Sequence, residues 1–573
     1  MTIRLTSPHF KACAVIALCL LSCLSSGLPT WAQSNAASDP AGASGLYRIA
    51  GTVVNAITGE PVSRAAVAVL NLSQSQIVQT VLSDDTGHFS LEKLPAAKYQ
   101  LTASKRGFRT AFFNQHEDYN SAIVTGPDQE TDQLSFRLPP DSVLHGVITD
   151  DAGEPVAGAV VLLFRKPAKN NASEQVTSPL NTTADDTGAY EFSSLAPGEY
   201  LLAVKATPWY AVHPHASHSP QSPGQTTASA PLDVAYPITF FSGTTEETSA
   251  TPIVLAVGSR EEANLSLSAV PALHLTVPLP AESGADRQSS AQQIPRTVLH
   301  QSVFGAEIST DEVSSVNFTG ANHPVSAEFT GVAPGHYQLE EGNPPHTLEL
   351  NASSSQQIDT SQAMQSLEVS IEVRSSMGSP VPETRFLSLE PLDSNRKFVQ
   401  VQAPPRPGGT FTAAVPPGNW KIQAIGESGL LTTLSIAEDG KVQPGNRFTV
   451  RDRPLSIVVT VTQTATRIEG FAQKDGKGIA GAMIVLFPQS PRADLDLIRR
   501  DQSDSDGSFA LLNAIPGDYL VVALENGWDL DWADPKAMAR YLSLAVPVTI
   551  KSSSGKLMRL SQPIPVQSAS ATP

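Results

Sequence analysis

Apolar and polar positions alternate with a period of two along most of the chain, the pattern of strands with one buried face. The stretch Asp185 to Leu202 shows it best. Tyr190 and Phe192 are two apart, as are Tyr200 and Leu202, so each pair predicts a strand with its aromatic or aliphatic side chains on one face. Asp185-Asp186-Thr187-Gly188 before the first strand predicts a tight turn, because Asp accepts backbone hydrogen bonds and Gly tolerates positive φ. Pro197-Gly198 predicts a second turn between the strands.

This unit recurs. Asp84-Asp85-Thr86-Gly87-His88-Phe89 leads to Tyr99, and Asp504-Ser505-Asp506-Gly507-Ser508-Phe509 leads to Pro516-Gly517-Asp518-Tyr519. The distance from the first aromatic residue to the closing Tyr is ten positions in all three copies. Weaker copies keep the end alone, at Phe329 to Pro334-Gly335-His336-Tyr337 and at Phe411 to Pro417-Gly418-Asn419-Trp420, where Trp replaces Tyr. Each strong copy follows a strand, a Gly-rich turn and an apolar strand: Gly146 to Thr149 with Gly153-Glu154-Pro155 and Val160 to Phe164; Gly51 to Val54 with Gly59-Glu60-Pro61 and Val67 to Leu70; Gly470 to Ala472 with Gly478 and Met483 to Phe487. The run Val160 to Phe164 has no polar position, as expected of a strand covered on both faces.

Together these blocks resemble the carboxypeptidase regulatory-like domain family over 46–140, 141–205 and 466–525. The resemblance implies an all-β chain, a tandem array of about five small prealbumin-like Greek-key β-sandwiches. It implies an accessory domain, not a catalytic one, on a fold that hosts many unrelated functions. The expected order is a signal peptide at 1–32, a leader at 33–45, and sandwiches at 46–140, 141–271, 272–365, 366–465 and 466–566, with a tail at 567–573. The second carries a Ser/Thr/Pro/Gln-rich insert at about 207–245. Leu367 to Val373 and Leu455 to Val461 alternate as half-buried strands of the divergent fourth segment. Asn114 to Asp132 is polar and reads as a loop. Short joints predict a rod in which each sandwich touches its chain neighbours. One helix is expected, near the C-terminus, with Asp534 as its cap and Pro535 in its first turn.

Charge narrows the partners. Lys and Arg number 38 against 55 Asp and Glu, a formal net charge of −17, which excludes nucleic acid as the ligand of a basic face. Arg4 and Lys11, the apolar run Ala12 to Leu24 and Thr30-Trp31-Ala32 form an export signal with cleavage before Gln33. Leu20-Leu21-Ser22-Cys23 is a degenerate lipobox, the alternative route by a lipid on Cys23. All three cysteines (Cys13, Cys19, Cys23) lie in this signal, so a chain cut after Ala32 has no thiol chemistry. The expected location is the periplasm, the outer membrane's surface or the extracellular space, with no transmembrane span in the mature chain.

Candidate sites are few. Tyr236 to Thr244 places Phe240 and Phe241 on opposite faces of an extended segment, either buried against the next sandwich or stacked on a sugar or peptide. Trp528 and Trp532 flank the expected helix, either packed on the fifth sandwich or open as a docking patch. His213, His215 and His218 are a flexible loop or a transition-metal site without a nearby acid. His346-Thr347-Leu348-Glu349 has the spacing of a zinc pair but no downstream His. Asp504-x-Asp506-Gly507 has the opening of a calcium loop, but Ile515 stands where its bidentate Glu belongs; a structural turn shared with Asp84 and Asp185 is the other reading. There is no nucleophile elbow, zinc-protease helix motif or phosphate loop, and no cleft of clustered carboxylates or His is expected. The expectation is therefore a non-enzymatic exported envelope protein without metal or cofactor, acting as a structural or interaction module on an unidentified envelope protein or polysaccharide. The alternative is a carbohydrate-binding protein, since similar sandwiches include starch-binding-like domains.

Overall fold

The period-two pattern becomes strands throughout a computed structural model of the chain. It describes residues 46–573 except 167–178, 214–231, 280–295, 320–322, 343–344, 376–383, 393–398, 403–409, 427–428, 463–464, 490–496, 552–556 and 570–573. Pro535–Leu542 is the one α-helix among the described residues; the Asp534 side chain accepts a hydrogen bond from the Lys536 amide at 2.9 Å and caps it. The chain is all-β.

The repeated turn has the same backbone in all three strong copies. The amides of Gly87, Gly188 and Gly507 donate to the carbonyls of Asp84, Asp185 and Asp504 at 2.9, 3.0 and 2.9 Å. These glycines have φ of 75°, 76° and 82°, and a Cβ on any of them would lie within 2.6 Å of a carbonyl oxygen of the segment's first strand. The turn therefore requires Gly for both conformation and space. At the other end of the hairpin the closing aromatic reaches back four residues. Tyr99, Tyr200 and Tyr337 donate from their hydroxyls to the carbonyls of Pro95, Ala196 and Ala333. Trp420 does the same through its indole N–H to Pro416 at 3.0 Å. The exchange of Tyr for Trp thus keeps the hydrogen bond that locks the corner.

Buried apolar side chains gather in sets within 49–138, 144–267, 273–358, 369–461 and 468–566. In each of these segments the first strand pairs antiparallel with a hairpin strand and parallel with a strand near the segment's end, as Tyr47–Asn55 does with His88–Leu94 and Leu134–Leu138. Separate sheets face each other in the first three segments. In the fourth and fifth the strands form one continuous nine-stranded sheet each, joined through Gly429–Glu438 and Ile564–Ser568.

Some sheets carry a second apolar layer. Val161 and Leu163 face the core of the second segment, while Leu162 and Phe164 face outward onto Phe240, Val303 and Phe304. Only Val160, 38% exposed, escapes the expected two-sided cover. Phe304 and Gly305 form the two-residue loop between Thr297–Val303 and Ala306–Glu312, with φ of 47° and 81°. Positive φ is unfavourable for so large a residue. It is held there by edge-on contacts with Phe164 at 5.0 Å and Phe240 at 5.4 Å.

The arrangement of segments differs from the expected rod. The first segment touches the fifth, some 380 to 410 residues away, through at least nine hydrogen bonds. Lys98 and the stretch from Asn114 to Val124, which ends in the short strand Ile123–Val124, make this contact. Polar loops are readable as loops from composition, but which surface they meet is a tertiary property that a nearest-neighbour picture misses.

Candidate functional site

The contact between the first and fifth segments is built from two strand ends and one loop. Lys98 projects from Lys98–Lys105 and donates from Nζ to Asp504 Oδ2 at 2.6 Å and to Ser508 Oγ at 2.7 Å. Ala122 donates its amide to Asp504 Oδ1 at 2.9 Å, and its carbonyl accepts the Ser505 amide at 2.9 Å. Val124 adds an amide to Ser505 Oγ. Gln502, fully buried, donates to the Asn114 carbonyl and to Ser121 Oγ. Each bond fixes direction as well as distance, so together they set one register.

An apolar and aromatic layer lies beside them. The His116 ring stacks on Trp528 at 5.1 Å and 6°, and Tyr119 leans on the same indole at 5.6 Å. Trp528 is fixed in turn by its N–H to the Gly481 carbonyl. Arg500 is 8% exposed; it pairs with Glu117 at 2.6 Å and lies over the rings of Tyr119 and Trp532 at 5.1 and 4.1 Å. Burial pushes up the carboxyl of Asp504, against the pull of Lys98, and pushes up neighbouring Asp501 to about 6 despite amide bonds from Ala510 and Gln502.

Next to this contact lies a cleft of about 920 Å³, walled by the first, second and fifth segments. It brings together Arg109 and Arg137 of the first, Arg165 and Lys166 of the second and Arg500 of the fifth, with Glu117 and Asp118 as its carboxylates. A cleft gathering ionisable groups from several segments was not expected from the sequence, because no local motif announces it. Its histidine is engaged: His116 Nδ1 lies 3.0 Å from Gln502 Oε1 while its ring stacks on Trp528. Glu117 is held by Arg500.

Of the four aromatic residues read as a stacking surface, Phe240, Trp528 and Trp532 are buried and Phe241 is half-buried. Phe240 is 3% exposed, against Phe304; Phe241 packs on the core of the second segment; Trp528 and Trp532 are 9% and 5% exposed. A ring stacks on a sugar only with a free face, and burial leaves Phe240, Trp528 and Trp532 none. Trp528 and Trp532 pack against Met538 and Tyr541 of the helix, and on its other side Trp528 receives the first segment. Exposed rings lie elsewhere: Trp209, 86% exposed beside Tyr210 at the start of the polar insert, and Phe471.

Of the three histidines, His215 and His218 lie outside the described residues. His213 Nδ1 is 3.0 Å from Asp233, whose other oxygen meets His274 Nε2 of the third segment at 2.6 Å. His346 and Glu349 stand in one strand, His346–Ala352, three positions apart and so on opposite faces, and Glu349 accepts from Gln338. Asp504 and Asp506 serve as acceptors for protein donors, Asp506 for the Ser508 amide at 2.9 Å and the Ser508 hydroxyl. The sequence did carry a sign of this: the third turn residue is Thr86 and Thr187 in two copies but Asp506 in the last.

Such a fold, with paired sheets locked by Asp turns and aromatic corners, defines a tandem β-sandwich protein. The family model of the carboxypeptidase regulatory-like domain matches it twice, over residues 48–139 and 143–228. No curated protein matches the chain. Among solved structures, it is similar to the TIE protein of Bacillus anthracis, at 12% identity over 74% of this chain and 76% of that one, with a TM-score of 0.17. A shaft pilin of Lactobacillus rhamnosus GG is similar at 10% identity over 40% and 98%, TM-score 0.19. The minor pilin of Streptococcus agalactiae is similar at 14% identity over 39% and 97%, TM-score 0.19. No helix among the described residues is long and apolar enough to cross a membrane.

Proposed function

We propose that the chain is a non-enzymatic structural and interaction protein of the cell envelope, exported through the signal at 1–32, whose sandwiches are held in a fixed arrangement by the contact between the first and fifth segments. The observation that carries this reading is the use of the reactive side chains. Where the first and fifth segments meet, Lys98 is bonded to Asp504 and Glu117 to Arg500 across the contact, and His116 is held by Gln502. A general base needs a free lone pair within reach of substrate. Here the lone pairs hold segments together. The match of two segments to an accessory-domain family supports the same reading.

The test is made in cells that produce the chain. Protease treatment of intact cells and of spheroplasts should degrade it as an exported protein. A Trp528→Ala chain, with the contact loosened, should reproduce the envelope defect of a strain lacking the protein. A chain protected in the cytoplasm, or full function in the variant despite a broken contact, overturns the reading.

A further inference from the structure

Three guanidinium groups in the cleft have no acidic partner among the described residues. Among the described residues, no carboxylate lies within ion-pairing distance of Arg109, Arg137 or Arg165, whereas Lys166 pairs with Glu199 and Arg500 with Glu117. Arg137 Nη2 donates to the Ala56 carbonyl at 2.6 Å and Arg165 Nη2 to the Pro197 carbonyl at 3.3 Å. A guanidinium has five N–H donors, so one backbone bond orients the group and leaves most of its fork available. Arg109 and Arg165 come from different segments yet converge. Burial raises the Tyr200 phenol, and the charges of Arg165 and Arg109 both act to lower it. This gathering of cations stands out in a chain with 17 more acidic than basic residues.

We propose that this cleft binds an acidic oligosaccharide, one whose sugars carry carboxylate groups, with Arg109, Arg137 and Arg165 as its ligands. The guanidinium fork matches a carboxylate in a planar two-bond contact. The volume of about 920 Å³ is near the upper end of small-ligand sites and suits a few sugar rings. The acidic remainder of the surface repels a polyanion, so the field directs it to this cleft. An acidic peptide adding as a strand fits less well. The edge strand Phe108–Phe112 forms one wall, but its Arg109 amide already donates to the Pro139 carbonyl and its Phe112 amide to Gln115 Oε1. Sugar recognition here depends on charge, not on the buried aromatic rings. The proposal rests on the interaction-module reading only for the absence of turnover.

Titration calorimetry of the full chain tests it with three probes: a galacturonate trimer, its methyl-esterified neutral counterpart and a short linear polyphosphate. The trimer should bind, and added salt should weaken it. The Arg109→Gln/Arg137→Gln/Arg165→Gln chain should lose about tenfold or more in affinity, and the corresponding Lys variant should lie between. Small-angle scattering of each variant should stay unchanged, since none of the three residues belongs to the contact between the first and fifth segments, and the melting temperature should fall by no more than the loss of two exposed backbone bonds causes. No binding of the trimer at millimolar concentration, or equal affinity in wild type and the Gln variant, overturns the proposal. Equal binding of the neutral ester, or binding of polyphosphate alone, overturns the assignment to acidic sugar. Cleavage of the trimer would instead count against the non-enzymatic reading, so the two failures are separable.

Discussion

In the turn Asp185–Gly188 the first carboxylate serves its own backbone; in the turn Asp504–Gly507 it serves another segment. Asp185 Oδ1 accepts the amides of Thr187 and Ala189 and the Thr187 hydroxyl at 2.7–2.9 Å. Asp84 makes the same three bonds with Thr86 and His88. Asp504 points away, to Lys98 and Ala122, and Asp506 takes the Ser508 amide in its place. The hydroxyl of Thr86 or Thr187 can donate to the first Asp and hold it inward. Asp506 cannot donate when ionised, and instead supplies a second acceptor that frees the first. The consequences are electrostatic as well as geometric. Hydrogen bonds hold the exposed carboxyls of Asp84 and Asp185 below the usual range, whereas burial pushes Asp504 above it. One position in one repeat thus either closes a turn or docks a neighbour, depending on the residue two places later.

The largest effect comes from removing the apolar part of the dock. Trp528→Ala removes the indole between His116, Tyr119 and the helix, and should cost about 3–5 kcal/mol. Denaturant unfolding measures the loss. Scattering should also show the first segment leaving the fifth. Retained compactness would mean that the hydrogen bonds alone hold the contact.

Next is the charge pair. Lys98→Met leaves Asp504, 15% exposed, without its cation and should cost about 2–3 kcal/mol, held to that by the 38% exposure of Lys98. Lys98→Met/Asp504→Asn should recover most of it, because a neutral amide still accepts from Ala122 without needing a cation. If Lys98→Met costs no more than a surface substitution, the difference between the two kinds of turn carries no energy.

Asp501 sharpens the comparison through pH. Its folded form keeps a proton up to about 6, while in the unfolded chain it gives it up near 3.8. A raised carboxyl contributes stability that is complete below the unfolded value and lost as pH rises through the folded one. Unfolding of the wild type should therefore include a fall in stability between about pH 4 and 6 that Asp501→Asn removes. The Asn side chain can still accept the Ala510 amide that Asp501 Oδ2 accepts at 2.6 Å. An unchanged pH profile in the variant would assign the titration elsewhere.

What was readable in advance follows from locality. The turns, the strands and the capped helix depend on residues within ten positions, and the patterns around Asp185, Tyr200 and Asp534 contain them. The Trp420 corner fits the same rule, since an indole N–H replaces a phenol O–H. The contact between the first and fifth segments is different. His116, Tyr119 and Trp528 look like loop aromatics until the fold brings them together, so no periodicity marks them. The arginine cleft is less legible still. Arg109, Arg137 and Arg165 belong to two segments and are unremarkable singly. Their convergence exists only in the packing. Phe304 could have drawn notice as a large residue beside Gly305 in a two-residue loop, a position that favours Asn or Asp.

The smallest effect is expected at the self-capped turn. Asp185→Ala removes three hydrogen bonds, but the residue is solvent-exposed, so water replaces the lost partners and the melting temperature should fall least among these variants. The turn backbone persists, because the Gly188 amide still reaches the carbonyl of residue 185 and the glycine still supplies positive φ. The pH sign is opposite to that at Asp501. A depressed carboxyl contributes stability that is present above its unfolded value and lost as pH falls through the folded one. The variant should therefore approach wild type as pH falls through the range where the Asp185 carboxyl takes up its proton, and differ from it most at neutral pH. A double variant with Asp84→Ala should add the two losses, since the turns lie in different segments and share no partner. Should Asp185→Ala instead destabilise the chain as much as Lys98→Met, the first carboxylate would be doing the same work in both turns, and the division between closing and docking would fail.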